Sequence, residues 1–160
     1  MKIKLSLFLA ALLMCLTSTN AKSPFEELKK IKGVQCQQFD AIPEGGTKMK
    51  NISIGNGDNN ELVQTFDPKD IIILLTEKQK SIDKLFSKAN DICKRNAFES
   101  LINVNDGDDR VRIYAQFGDT RSTIAIVVAD DEDGVVLSGN IKGNRETIME
   151  LLKGKVTFTH

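Results

Sequence analysis

Seven acidic residues crowd two short turns of this 160-residue chain: Asp106, Asp108 and Asp109 around Gly107, and Asp130, Asp131, Glu132 and Asp133 ahead of Gly134. Carboxylates at that density are the ligand type of a hard cation such as Ca²⁺, which takes about six to eight oxygens. The EF-hand spacing is absent, and Asp and Gly are also what tight turns require, because Asp bonds its own backbone and Gly adopts positive φ. Asp106, Asp108, Asp109, Asp130, Asp131 and Asp133 are thus the candidate metal ligands, with turn chemistry as the alternative.

Cys36 and Cys93 form the second constellation. In an oxidising compartment they are a candidate disulfide; the alternative is two small buried hydrophobes. No Cys-x-x-Cys occurs, which argues against a thiol oxidoreductase. The only histidine is His160, so neither a Ser-His-Asp relay nor a Cys-His pair has an internal base to use. Gly55-Asn56-Gly57 lacks the third glycine of a dinucleotide loop, and no P-loop is present. Acids confined to turns do not supply the one buried and one solvated carboxylate of a glycosidase. The expectation is a chain with no catalytic residue and no cofactor.

Lys2 and Lys4, the apolar run from Leu5 to Leu16, and Thr19-Asn20-Ala21 have the order of a secretory signal peptide, predicting cleavage after Ala21. The run is too short for a transmembrane span, which needs about 20 apolar residues. Met14 before Cys15 is not the small residue that lipid attachment requires. Residues 22–160 then form one domain that carries 20 basic and 22 acidic side chains, the signal taking only two lysines with it. That balance offers no global attraction for nucleic acid, and one tyrosine with no tryptophan gives bases no stacking platform. The expected partner is an unidentified protein of the cell envelope, with the mature chain periplasmic or extracellular.

A short helix is predicted from Ser23, with Pro24 in its first turn, Phe25, Leu28 and Ile31 on one face, and Gly33 as its stop. Val34–Phe39 reads as a strand, Met49–Ile54 as an extended stretch in a glycine-broken loop, and Ile71–Leu75 as a buried strand. Thr76 and Gln79 fit a capping box for the longest helix, in which Ile82, Leu85, Phe86, Ala89, Ile92, Cys93 and Ala97 recur at helical spacing. Its other face carries Lys80, Asp83, Lys84, Lys88, Asp91 and Lys94, charges that keep an exposed helix side solvated. Four strands follow, Ser100–Asn105, Arg110–Phe117, Ser122–Ala129 and Val135–Ile141, spaced as an antiparallel meander. In the second, Arg110, Arg112, Tyr114 and Gln116 alternate with Val111, Ile113, Ala115 and Phe117, so the polar set is expected to face water as a candidate interaction surface beside Val136, Ser138 and Asn140. Asn144 caps a last helix bearing Ile148, Leu151 and Leu152, which Gly154 ends.

Ala97-Phe98-Glu99-Ser100-Leu101, the Asn105-Asp106-Gly107-Asp108 turn, Val111-Arg112-Ile113-Tyr114, the apolar strand ending Val128-Ala129-Asp130-Asp131, and Leu137-Ser138-Gly139-Asn140-Ile141 follow one another in an order that resembles the domain of unknown function 4252. The resemblance covers roughly residues 68–153. It implies a small secreted bacterial protein, chiefly of Gram-negative envelopes, in which a helix leads into a sheet; it implies no activity. The fold expected is α+β: an antiparallel-rich sheet with a C-terminal four-strand meander and helices packed on one face. The function expected is non-catalytic binding, with a Ca²⁺-binding module or metal-dependent enzyme on the acidic turns as the alternative.

Overall fold

Phe25, Leu28 and Ile31 repeat every third residue, the period of a 3-10 helix rather than an α-helix, and Pro24–Lys30 is a 3-10 helix with Phe25 and Leu28 buried. The computed structural model describes residues 23–38, 52–54, 70–153 and 156–158. The signal segment 1–21, the loop 40–60 apart from residues 52–54, Phe39, Gly154 and His160 lie outside the described residues.

The strands are β1 (Gln35–Gln38), β2 (Ile52–Ile54), β3 (Ile72–Thr76), β4 (Glu99–Asp106), β5 (Asp109–Gln116), β6 (Arg121–Ala129), β7 (Gly134–Lys142) and β8 (Val156–Phe158); the α-helices are α1 (Gln79–Arg95) and α2 (Arg145–Leu152). Six strands form one sheet in the order β1-β3-β7-β6-β5-β4. Every pairing in it is antiparallel. β2 and β8 pair separately, also antiparallel. The fold is α+β with the meander β4 to β7 as expected from the sequence.

β3 and β4 are consecutive strands of this sheet yet stand four positions apart, about 19 Å at 4.8 Å per strand. The 17 residues of α1 supply about 25 Å, enough to cross that width on a diagonal. The helix buries Ile82, Leu85, Phe86, Ala89, Ile92 and Cys93 against Ile72, Leu74, Tyr114, Ala125, Val127, Ala129 and Val136. Gly134 lets it come close: a Cβ there would sit 3.4 Å from the Ile82 Cα. β6 is one of the two central strands, and Ile124–Ala129 is buried throughout because both faces are covered.

Two local expectations are corrected. Thr76 does not cap α1; it is the last residue of β3, and its hydroxyl accepts from the Lys78 N–H and donates to the Gly33 carbonyl. The helix starts after Lys78 with no side-chain cap. Nor do all helices share one face. The 3-10 helix and α1 do, but Ile148 of α2, with Leu151 and Leu152, joins a second apolar cluster containing Val111, Ile113, Ile124, Ile126, Leu137 and Ile141. Alternation puts that second set on the opposite side of the sheet, which is itself apolar and needs cover.

α1 ends in a Schellman turn: the Phe98 N–H donates to the Cys93 carbonyl and the Ala97 N–H to that of Lys94. Ala97 is left at φ 54°, where a Cβ is strained. Ala97→Gly is therefore expected to stabilise the protein by about 0.5–1 kcal/mol, whereas Gly134→Leu, forced against Ile82 and Leu85, should cost about 1–3 kcal/mol. Denaturant unfolding of the two variants would show midpoints moved in opposite directions.

Candidate functional site

Burying Ile82, Leu85, Ala89 and Ile92 turns Lys80, Lys84 and Lys88 outward as an i, i+4 row, with Lys94 further along. The 3-10 helix likewise buries Phe25 and Leu28 and leaves Lys30 exposed, with Lys32 just beyond. Four contacts lay that segment alongside α1. The Ser81 hydroxyl donates to the Lys32 carbonyl at 2.7 Å, Thr76 donates to the Gly33 carbonyl at 2.9 Å, Arg95 pairs with Glu27 at 2.6 Å, and Phe25 meets Phe98 edge-on at 6.0 Å.

The result is a groove of about 700 Å³ between two walls, with Lys30, Ile31 and Glu27 on one side and Lys84, Lys88, Asp91, Lys94 and Arg95 on the other. Through Ile31 and Lys84 it continues into a second hollow of about 460 Å³, to which Lys32, Lys78 and Lys80 contribute. Among the described residues, eight cationic side chains thus line a continuous surface with two carboxylates. Arg95 and Glu27 neutralise each other. Seven lysines and Asp91 remain, and among the described residues none of these lysines has a carboxylate within 4 Å. Uncompensated ammonium groups along a concavity raise the local concentration of anions.

The polar set of β5 is placed differently from expectation. Arg110, Arg112, Tyr114 and Gln116 lie on the side of the sheet that α1 covers: Tyr114 is buried, the two arginines are half-buried against the helix, and Gln116 alone stays exposed. Tyr114 is 6% exposed and its hydroxyl donates to Asn90 at 2.7 Å. Arg110 pairs with Asp83 at 2.7 Å and lies 4.6 Å from the Phe86 ring centre. Arg112 lies 5.5 Å from the same ring and donates to the Val104 carbonyl and to Asn105. Gln116 donates to the Asn96 carbonyl. These four are the polar side of a helix–sheet contact, because long side chains bury their stems and still reach partners. Val136 and Ser138 are buried beneath the same helical layer, and Asn140 bonds Thr123 and Asp70.

The acidic turns lie at one end of the sheet, as the meander requires, since Arg110 pairs with Ala129 and Ala129 with Gly134. They do not form a metal centre: among the described residues no group of three or more His, Cys, Asp or Glu side chains is arranged to hold an ion. One Asp130 oxygen instead accepts from the Glu132 and Asp133 N–H groups, both at 2.7 Å, closing the turn. Cys36 and Cys93 are free thiols, not a disulfide. Cys36, on the edge strand β1, pairs with Leu74, while Cys93 is buried on α1.

Sequence reasoning assigned Lys80, Lys84, Lys88 and Lys94 of the long helix to solvation and gave Lys30, Lys32 and Lys78 no role. The i, i+4 lysine row was the available signal; the missing part was the approach of residues 30–32 to residues 80–95, a contact of long sequence separation.

The family model described as Domain of unknown function (DUF4252) matches residues 46–151, about two thirds of the chain. No curated protein and no solved structure matches it.

Burial pushes the Cys93 thiol from its ordinary value of about 8.5 up to about 12, and burial also raises the Tyr114 phenol. A folded-state pKa above the unfolded one leaves stability intact below the unfolded value and erodes it as pH climbs toward the folded value. Stability should therefore decline from about pH 8.5 upward, and less steeply in Cys93→Ala. At pH 8 iodoacetamide should label half-buried Cys36 in the native protein and Cys93 only after denaturation; prompt native labelling of Cys93 would contradict its burial.

Proposed function

The chain belongs to the DUF4252 family, and from that premise we propose that it is a non-catalytic, extracytoplasmic binding module that holds an anionic partner in the groove between the 3-10 helix and α1. The observation that carries the reading is the convergence of seven lysines, none with a carboxylate within reach among the described residues, on one concave surface. Lysine is a flexible, strongly hydrated point charge, suited to attracting an anion rather than fixing a planar one.

The secretory reading of residues 1–21 supports an extracytoplasmic location. No helix among the described residues is long and apolar enough to cross a membrane. The alternative Ca²⁺ reading is not carried forward, because turn closure engages the Asp130 carboxylate and, among the described residues, no group of three or more His, Cys, Asp or Glu side chains is placed to hold an ion.

Two measurements test the proposal. N-terminal sequencing of the protein recovered from an envelope fraction should begin at Lys22; a chain that retains Met1 and stays with the cytoplasmic fraction would overturn the location. Fluorescence titration with polyglutamate at low salt should give binding that weakens as salt rises, and Lys84→Glu with Lys88→Glu should weaken it at least about tenfold without lowering the melting temperature. Arg112→Ala with Tyr114→Ala should instead lower stability by about 2 kcal/mol or more. Equal polyglutamate affinity in the wild type and the lysine double variant would sink the groove.

A further inference from the structure

Resting on that groove, we infer that its occupant is an extended segment of a partner polypeptide, about six residues long, with carboxylates at alternate positions. From Lys80 to Lys94 the helix rises about 21 Å, and a strand covers that length in about six residues. Lys80, Lys84 and Lys88 recur every about 6 Å along the axis. Side chains on one side of an extended peptide recur every about 6.6 Å, so three successive carboxylates stay within about 1–2 Å of register with three lysines.

The lining favours a peptide over other anions. The surface is concave, with a wall on each side, and so fits a chain better than a flat bilayer. Among the described residues that line it Ile31 is the only apolar side chain, and it is 5% exposed, which leaves those residues nothing to insert among acyl chains. No aromatic among the described residues lines it, so these residues offer nucleic-acid bases no stacking surface. Asp91 stands among the lysines; it repels a ligand that is all phosphate but can accept from a peptide N–H.

The test compares two labelled hexapeptides of equal charge, Glu-Ser-Glu-Ser-Glu-Ser and Glu-Glu-Glu-Ser-Ser-Ser, by anisotropy against the intact mature protein, with polyglutamate, polyphosphate and anionic phosphatidylglycerol vesicles as further arms. The alternating peptide should bind at least about fivefold tighter than the clustered one, a preference of the size expected for one well-placed ion pair, and Lys84→Ser with Lys88→Ser should abolish the preference. Equal affinity for the two peptides, or tighter binding of polyphosphate or vesicles than of polyglutamate, would overturn the peptide assignment while leaving an anion-binding groove. Concentration-dependent self-association that excludes the peptide would overturn it in favour of a second copy. Binding of none of these anions would remove the groove itself.

Discussion

The fold depends on one packing constraint: α1 has to cross a six-stranded sheet from β3 to the far edge strand β4 and lie flat against it. An antiparallel meander can return to β3 strand by strand, but the outward journey must be made by something that spans the width without occupying the sheet. The contact is close because the strands beneath offer small residues, Ala125 and Ala129 on β6 and Gly134 and Ser138 on β7. Where β5 offers larger ones, Arg110, Tyr114 and Gln116 reach Asp83, Asn90 and the Asn96 carbonyl in order along the helix. Those three polar bonds fix the direction and rotation of α1, and therefore which lysines face outward.

Arginine and lysine are used for different tasks here. All five arginines of the chain make directed side-chain bonds: Arg95 to Glu27, Arg110 to Asp83, Arg112 to the Val104 carbonyl and Asn105, Arg121 to Asp70, and Arg145 to both oxygens of Glu99. The Arg145 guanidinium also lies 4.9 Å from the Phe117 ring, joining the start of α2 to the sheet. A planar fork suits such fixed pairing. The described carboxylates that these forks engage are thereby withdrawn from the lysines, so the structural pairing that holds the helices in place also leaves the groove with a surplus of positive charge.

Much of the architecture was legible because its signals are local. Turn residues at 107–108, 118–120 and 130–133 bound the meander strands, and their alternation or continuous apolarity agrees with the structure to within about one or two residues, the ordinary scatter of strand ends. The side of the sheet that Arg110, Arg112, Tyr114 and Gln116 occupy was misread for a physical reason. Alternation shows that two faces differ; it does not show that the more polar one is wet when a helix supplies matching partners such as Asp83 and Asn90. The groove was illegible for another reason. Neither Lys30 and Lys32 nor Lys80, Lys84 and Lys88 is unusual alone, and long-range contacts such as the bonds from Ser81 to the Lys32 carbonyl and from Arg95 to Glu27 bring them together.

Net charge was a poor guide for the same reason. A formal charge of zero for the chain, or minus two without residues 1–21, argues against attraction of polyanions only if the charges are mixed on the scale at which a partner senses them. At physiological ionic strength that scale is about 8 Å, shorter than the row from Lys80 to Lys94. A partner at the groove meets the seven lysines and Asp91 directly, while the acidic strand turns lie at the end of the sheet where α1 begins, on the side of Lys78 and Lys80 rather than of Lys88 and Lys94. The same separation gives an acidic segment a preferred end from which to approach, so the placement of charge by α1 and the 3-10 helix, rather than its total, determines what the molecule attracts.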